Sequence, residues 1–387
     1  MTKNLGNSKL FAILFTVFVD LIGFGIIIPL LPFFAKSLGA DPTTLGMLVA
    51  VFSLMQFLFA PILGRLSDRF GRRPVLLVSL IVGVLGHLMF ALSNTIMLLF
   101  VSRILAGMAG ANLSVAQAYI ADTTAAKDRA RGMGLVGASF GVGFIIGPVI
   151  GGVFSQYGLS VPGFVAAIIS LFNFLIAFAM LPESLTPEHR LARSKLTPTE
   201  KGFLSSLKNP SISGLIITFF VVNFAFSNIP VIFPLLGIER FNLEAKDMSI
   251  VFIYIGIVQV VIQAGLIGKL VRRFGEERLL MAGILIMATS IFLTSFVNQF
   301  LFLIIVSGFT AAGVGLIIPS VPSLVSKKTP ESEHGSVLGV VQSAASLGRV
   351  LGPLMGGLIY QYGGIQMPFF AASGLMLASF FVYQKLK

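Results

Sequence analysis

The sequence predicts an all-α membrane protein whose twelve transmembrane helices form two pseudo-symmetric bundles of six. Three observations predict it. Of the 387 residues, 56% are hydrophobic and only 11% are charged, with a mean hydropathy of +0.96. A soluble protein carries about 25% charged residues and cannot hide that much apolar surface. Twelve apolar stretches follow one another along the chain, and at ~20 residues per crossing they occupy roughly 240 residues, leaving the rest for short loops. Finally, features of the first half return in the second at a nearly constant offset.

In order, the stretches run near 9–34, 43–64, 75–93, 96–121, 133–157, 161–181, 211–236, 248–268, 279–297, 300–325, 336–361 and 366–384. Lipid tolerates only helices and closed barrels, and stretches this long without period-two alternation are helices. The first is too long for a signal-peptide core, carries Asp20 and lacks a small-residue cleavage site, so it is a retained span. Spans five and eleven are rich in glycine and each holds one Gly-Pro pair, at Gly147-Pro148 and Gly352-Pro353. The longest polar segment, 182–210, contains Pro182, Pro187, Pro198 and Pro210 and leaves six spans on either side. It reads as a cytoplasmic linker between an N-terminal bundle, 1–181, and a C-terminal bundle, 211–387.

The charges set the orientation. Net charge is +12 and the isoelectric point is near 10.1. With the N-terminus in the cytoplasm, the cytoplasmic segments hold 22 of the 27 Lys and Arg. The opposite loops hold only Lys36, Arg240 and Lys246, while Arg103 and Arg349 fall inside spans. This is the positive-inside asymmetry, with both termini cytoplasmic. The basic charge therefore marks topology and not nucleic-acid binding. Cysteine is absent, which excludes disulfides and thiolate metal sites, and Trp is absent with six Tyr, so the interfacial aromatic belt is thin.

The repeat is specific. Gly64-Arg65-Leu66-Ser67-Asp68-Arg69-Phe70-Gly71 after span two returns 204 residues later as Gly268-Lys269-Leu270-Val271-Arg272-Arg273-Phe274-Gly275 after span eight. Gly147-Pro148, Gly151-Gly152 and Gln156-Tyr157-Gly158 return 205 residues later as Gly352-Pro353, Gly356-Gly357 and Gln361-Tyr362-Gly363. A duplicated six-helix unit is the architecture of secondary transporters, whose site lies between repeats near the bilayer midplane.

The loop 64–74, ending Gly71-Arg72-Arg73-Pro74, resembles the cytoplasmic signature of the major facilitator superfamily. Span five resembles the glycine- and proline-rich motif of that family's antiporter branch. Span one, from Asp20 to Pro32, and the Arg103-Ile104-Leu105-Ala106-Gly107 run in span four are similar to those of the twelve-span drug:proton antiporters, tetracycline and multidrug exporters included. The resemblance spans the chain and implies the major facilitator fold and drug export coupled to protons. It departs in span three, where Gly83-Val84-Leu85-Gly86-His87 replaces the exporters' acidic residue, and in spans eight and nine, which hold no acid or histidine. The resemblance thus supports the class and not tetracycline as cargo.

Asp20 is the one carboxylate deep in a span. An intramembrane carboxylate is costly, and one that alternates between dry and cation-paired surroundings can take up and release a proton. The resembling fold sets spans one and four side by side, which makes Arg103 the expected counter-charge; a static ion pair is the competing reading. Arg103, Gly107, Gly110, Ser114 and Gln117 share one helical stripe, either a water-facing wall or a packing seam. Gly134, Gly137, Gly141, Pro148 and Gly152 share a broad face that forms a packing and bending surface, and the Gly147-Pro148 pair belongs to the conformational change. The 64–73 loop lacks a P-loop ending and reads as a gate latch. Gly64 and Gly71 shape its turns, Asp68 faces the start of span eleven near Gly335, and Arg69 or Arg72 bonds Asp122 at the end of span four. In the second copy Asp68 becomes Arg272, and Arg72-Arg73 become Glu276-Glu277, so an identical latch is not expected there. Candidate substrate contacts are Gln56, Asn112, Gln117, Asn223, Asn228, Gln259, Gln263 and Arg349, the last being either an anion attractor or a structural contact. His87 is either a packed neutral side chain or a proton relay.

The expected function is export of an amphipathic organic compound or drug in exchange for protons, by alternating access in a prokaryotic inner membrane. The partners are the substrate, protons and the bilayer; no cofactor or metal is expected, and the protein acts as a monomer. Competing readings are a symporter or uniporter for an organic anion or lipid-like solute, a channel, or an intramembrane enzyme. The last needs paired carboxylates or a histidine cluster, and three scattered His and one deep Asp do not supply either.

Overall fold

The computed structural model describes residues 2–124, 129–185, 209–329 and 334–386; most of the expected linker, 186–208, lies outside them. The described chain is helical: α1 (Thr2–Ile27), α2 (Leu31–Ser37), α3 (Pro42–Phe70), α4 (Arg72–Ala91), α5 (Ile96–Gly110), α6 (Asn112–Thr123), α7 (Arg129–Ser155), α8 (Val161–Met180), α9 (Pro210–Phe226), α10 (Ile229–Phe241), α11 (Ala245–Val260), α12 (Ile267–Phe274), α13 (Glu276–Thr294), α14 (Phe300–Lys328), α15 (His334–Gly363) and α16 (Met367–Leu386). Among the described residues these make twelve segments long and apolar enough to cross a membrane. Side chains such as Met97, Ile168, Phe172, Leu301, Phe309 and Phe381 stay exposed, as lipid-facing residues do.

Four expected spans are not continuous α-helices. Span one breaks between α1 and α2, where Pro29 and Pro32 remove backbone donors and Leu30 N–H turns back to Ile27 O at 3.1 Å. Span seven breaks at Ser227-Asn228, just before Pro230 at the start of α10. Span four breaks at Ala111, between α5 and α6. Span eight widens into a π-helical turn over Val261–Leu266, a rare distortion that is frequent at functional sites. Hydropathy averages over about twenty residues and does not register a one-turn interruption.

The chain forms two compact units. The first contains residues 1–39, 51–197 and 245–253; the second contains 40–50, 198–244 and 254–387. In the first, α1 packs on α7 and α8, and α4 packs on α5 and α8; in the second, α9 packs on α15 and α16, and α13 packs on α14 and α16. The packing thus repeats along with the sequence. The core of the first unit gathers Ile13, Val17, Leu21, Leu76, Leu80, Val115, Tyr119 and Ile120.

Glycine decides the closest approaches. Gly143, Gly147 and Gly151 press α7 against Leu21, Gly25 and Ile26 of α1. A Cβ on Gly147 would meet the Cα of Gly25 at 2.5 Å. Gly348 and Gly352, each 205 residues on, press α15 against α9 in the same way, and Gly356 meets Asn228 in the break that follows α9. This corrects the expected packing face of span five in part. Gly152 does pack, against Ser249, but Gly134 and Gly137 have nothing within 4 Å of a Cβ, and the i, i+4, i+8 set from Gly143 makes the contacts with α1.

Candidate functional site

Asp20 lies on α1, where it is half-buried. Its Oδ2 accepts a hydrogen bond from Nδ2 of Asn112 at 3.2 Å. Asn112 is the first residue of α6, so the break in span four delivers the donor. The same break leaves the Gly110 carbonyl free to accept from Nε2 of Gln56 on α3, at 3.0 Å. One turn from Asp20, the Phe24 ring stacks on Phe52 with centroids 5.0 Å apart and meets Phe144 edge-on at 6.0 Å. The carboxylate is thus held by one amide, with an aromatic cluster one turn further along α1.

Arg103 is not its partner. The guanidinium is buried, 4% exposed, and lies over the Phe90 ring with 5.2 Å to the centroid. Its Nε makes a long contact, 3.4 Å, with Ser102 Oγ, and Nη2 has no hydrogen-bond partner. His87 is also buried; its Nδ1 lies 2.9 Å from Ser170 Oγ, and its ring packs on Gly23 of α1. The expected Asp20–Arg103 pair is thus replaced by Asp20–Asn112, because Arg103 turns toward α4.

The stripe of span four resolves largely into a packing seam. Gly107 abuts the Phe52 carbonyl, Gly110 abuts Gln56 and the Phe52 ring, and Ser114 Oγ donates to Ala60 O at 3.2 Å, all on α3. Only Gln117 is exposed.

The 64–73 segment builds a charged knot. Gly71 takes φ of 106°, a conformation open to glycine, and separates α3 from α4. Arg72 Nη2 donates to Asp68 Oδ1 at 2.7 Å, its Nε donates to Asp122 Oδ2 at 3.1 Å, and its Nη1 donates to Ser67 Oγ. Ser67 Oγ in turn donates to Gly64 O at 2.7 Å. Arg72, rather than Arg69, reaches Asp122; Arg69 stacks on its neighbour Phe70. Glu183, which the sequence reading did not single out, accepts the backbone N–H groups of Arg72 and Arg73 at 3.0 and 3.2 Å and so caps the start of α4. The surroundings of Gly335 lie outside the described residues.

In the second unit, Asn223 Nδ2 donates to Phe219 O at 2.8 Å, which turns Oδ1 toward Arg349 Nη1 at 3.3 Å. Arg349 Nη2 donates to Ser346 Oγ at 2.9 Å. Asn228 Nδ2 donates to Phe224 O at 2.9 Å, while its Oδ1 is buried against Gly356 without a hydrogen-bond partner. Gln263 lies inside the π turn and Gln259 one turn before it. The structure brings together Asp20 with Asn112, and Arg349 with Asn223; Gln117, Gln259 and Gln263 have no hydrogen bond to another candidate. The reversed copy of the latch does form an ion pair: Glu276 accepts from Lys327 Nζ, and Ser323 Oγ donates to Glu276 at 2.7 Å. Lys327 stands 205 residues after Asp122, so the repeat offset carried that signal.

Among the described residues no cluster of His, Cys, Asp or Glu is arranged to hold a metal ion.

Comparison with known proteins places this geometry. The family model of the Major Facilitator Superfamily matches residues 13–281 and 260–386. The chain is 34% identical over 383 residues to multidrug resistance protein 2 of Bacillus subtilis, covering 97% of this chain and 95% of that one. It is 32% identical over 357 residues to the class C tetracycline resistance protein of Escherichia coli, covering 92% and 90%. Among solved structures, a bacterial homologue of the human lysosomal transporter Spinster superposes with a TM-score of 0.80 at 12% identity, covering 97% and 96%. The human organic anion transporter MFSD10 superposes with a TM-score of 0.73 at 24% identity, covering 98% and 99%; both structures speak to the fold. With its repeated six-helix packing and with relatives matching nearly end to end, this multi-pass integral membrane protein belongs to the Major Facilitator Superfamily of transporters.

Proposed function

We propose that this transporter exports amphipathic organic compounds in exchange for protons, by alternating access, with Asp20 as the proton carrier. The relatives named for multidrug and tetracycline resistance support drug export. One observation carries the coupling: Asp20 is a carboxylate inside a membrane-spanning helix, bonded to a neutral amide and to no described cation. A carboxylate so placed is not locked by an ion pair, and its proton occupancy responds to changes in hydration around α1. Arg103 acts as a fixed cation that shapes the field in the bundle, since a guanidinium does not release its proton. The 1–181 and 211–387 bundles are the moving bodies, joined by the 182–210 linker, with both termini cytoplasmic. The protein works as a monomer in a prokaryotic inner membrane and without a catalytic step.

The test is purified protein in liposomes with an imposed pH gradient, screened against cationic, neutral and anionic lipophiles. The wild type accumulates substrate against its gradient while protons move the opposite way. Asp20→Asn loses accumulation and retains downhill exchange. Full uphill transport by Asp20→Asn removes the assignment, and proton flux in the same direction as substrate replaces antiport by symport.

A further inference from the structure

We propose that Arg349 and its neighbours on α9 and α15 form a subsite for the carboxylate of an aromatic or aliphatic organic anion. The inference deepens the export reading by giving that transporter's cargo a charge class, and it rests on the geometry of the second unit alone.

Arg349 is a cation in the middle of a membrane-spanning helix. Several other charged groups of its unit stand near helix ends and are engaged there. Glu276 and Glu277 pair with Lys327 and Lys328, Glu239 accepts from the Tyr360 hydroxyl, and Arg240 donates to Val297 O. Among the described residues Arg349 contacts no carboxylate. It makes one bond to Asn223 and one to Ser346, both neutral acceptors, so neither bond neutralises its charge. A guanidinium has further N–H donors beyond these two. A purely structural arginine in lipid spends its donors on carbonyls, whereas this one is half-exposed and held at a set angle by two side chains.

The surroundings suit an amphipath. On α15, Gln342, Ser346 and Arg349 lie at i, i+4 and i+7, all exposed or half-exposed, a polar stripe that cannot face lipid tails. On α9, Phe220, Asn223 and Phe224 are all half-exposed, and the two rings lie 6.1 Å apart. Gly348, beside Arg349, lets α15 press directly on the backbone of Phe220 and Phe224. Arg349, bonded to Asn223, thus stands on the seam of α9 that also carries Phe220 and Phe224. Arginine presents its donors in the spacing of a carboxylate, and rings take up an apolar body. The mate of Arg349 in the first half is Phe144, so the repeat does not require a charge at this position.

The test is equilibrium binding to the full-length protein in neutral detergent, with 2-naphthoate, 2-naphthamide and 2-naphthylmethylamine as probes. These share a ring system and differ in charge. Wild type is expected to prefer naphthoate over naphthamide by about tenfold or more. Arg349→Gln abolishes the preference while keeping naphthamide affinity, which also reports that the variant is folded. Arg349→Lys keeps the charge without the fork and retains part of the preference, and it decides the matter if Arg349→Gln does not fold. Absence of a carboxylate preference in wild type, or its survival undiminished in both variants, overturns the proposal. Loss of naphthoate binding on adding phosphatidylglycerol, with wild-type lipid binding that Arg349→Gln removes, assigns the subsite to lipid phosphate and also overturns it. Because binding is read without a pH gradient, failure of proton-coupled export leaves this result standing.

Discussion

Arg72 and Asp122 form a buried ion pair joining the start of α4 to the end of α6, and their repeat-mates carry the same pair with the charges exchanged. Glu276 stands 204 residues after Arg72, Lys327 stands 205 after Asp122, and the two are bonded. Either sign satisfies the contact, so the repeat preserved the pairing of helices and not the residues. The surroundings differ. Arg72 and Asp122 are 3% and 6% exposed, while Lys327 is 62% exposed.

Breaking the two pairs therefore has unequal effects. Arg72→Met removes the buried cation that Asp122, Asp68 and Ser67 share and is expected to cost about 3–5 kcal/mol. Lys327→Met removes an exposed partner and is expected to cost less than about 1 kcal/mol. Thermal unfolding of the two variants in detergent checks this, and equal losses count against the buried knot as the stronger contact.

Asp68 shares Arg72 with Asp122, so it acts on the conformational cycle if the knot is a latch. Asp68→Asn is expected to slow transport several-fold with little change in substrate affinity. Spin-label distances between the end of α3 and the start of α15 should shift in the variant; unchanged distances at full speed argue against the latch.

Gly147 and Gly137 lie on one helix and respond oppositely. Gly147→Ala forces a methyl group into the Gly25 backbone and is expected to destabilise by about 1–3 kcal/mol. Gly137→Ala has open space around it and is expected to be neutral, or to stabilise by up to about 1 kcal/mol through helix propensity. Melting temperatures of both variants in one detergent give the comparison.

Glu183 closes the first unit from the far end of α8. Its carboxylate takes the amides of Arg72, Arg73, Ser184 and Leu185. Glu183→Ala leaves the start of α4 uncapped and is expected to cost about 1–2 kcal/mol, visible as faster hydrogen exchange at Arg72 and Arg73.

Asp41 caps α3 through a 2.7 Å bond from the Thr44 amide, and that bond holds its carboxyl below the usual value of 3.8. A lowered folded value means the contribution is complete above the unfolded value and fades as pH falls through the folded one. Asp41→Ala is expected to cost about 1 kcal/mol at pH 7 and progressively less below pH 3.8, in paired melts across that range.

The sequence by itself determined the number of spans, the duplicated halves and the family, because hydropathy and repeat offset are properties of the chain read along its length. It also marked Asp20, the deep cations and the loop around Gly71, since a charge in an apolar run stands out without coordinates. Tertiary structure alone decided who meets whom. Arg103 faces Phe90 and not Asp20, Asn112 takes its place, and Gly143, Gly147 and Gly151 do the packing that Gly134 and Gly137 do not. Those outcomes depend on the rotation of each helix about its own axis and on one-turn breaks at Pro29, Ala111 and Ser227. A residue's place in the heptad is local, but the neighbour it turns toward is set by how closely the glycines let two helices approach.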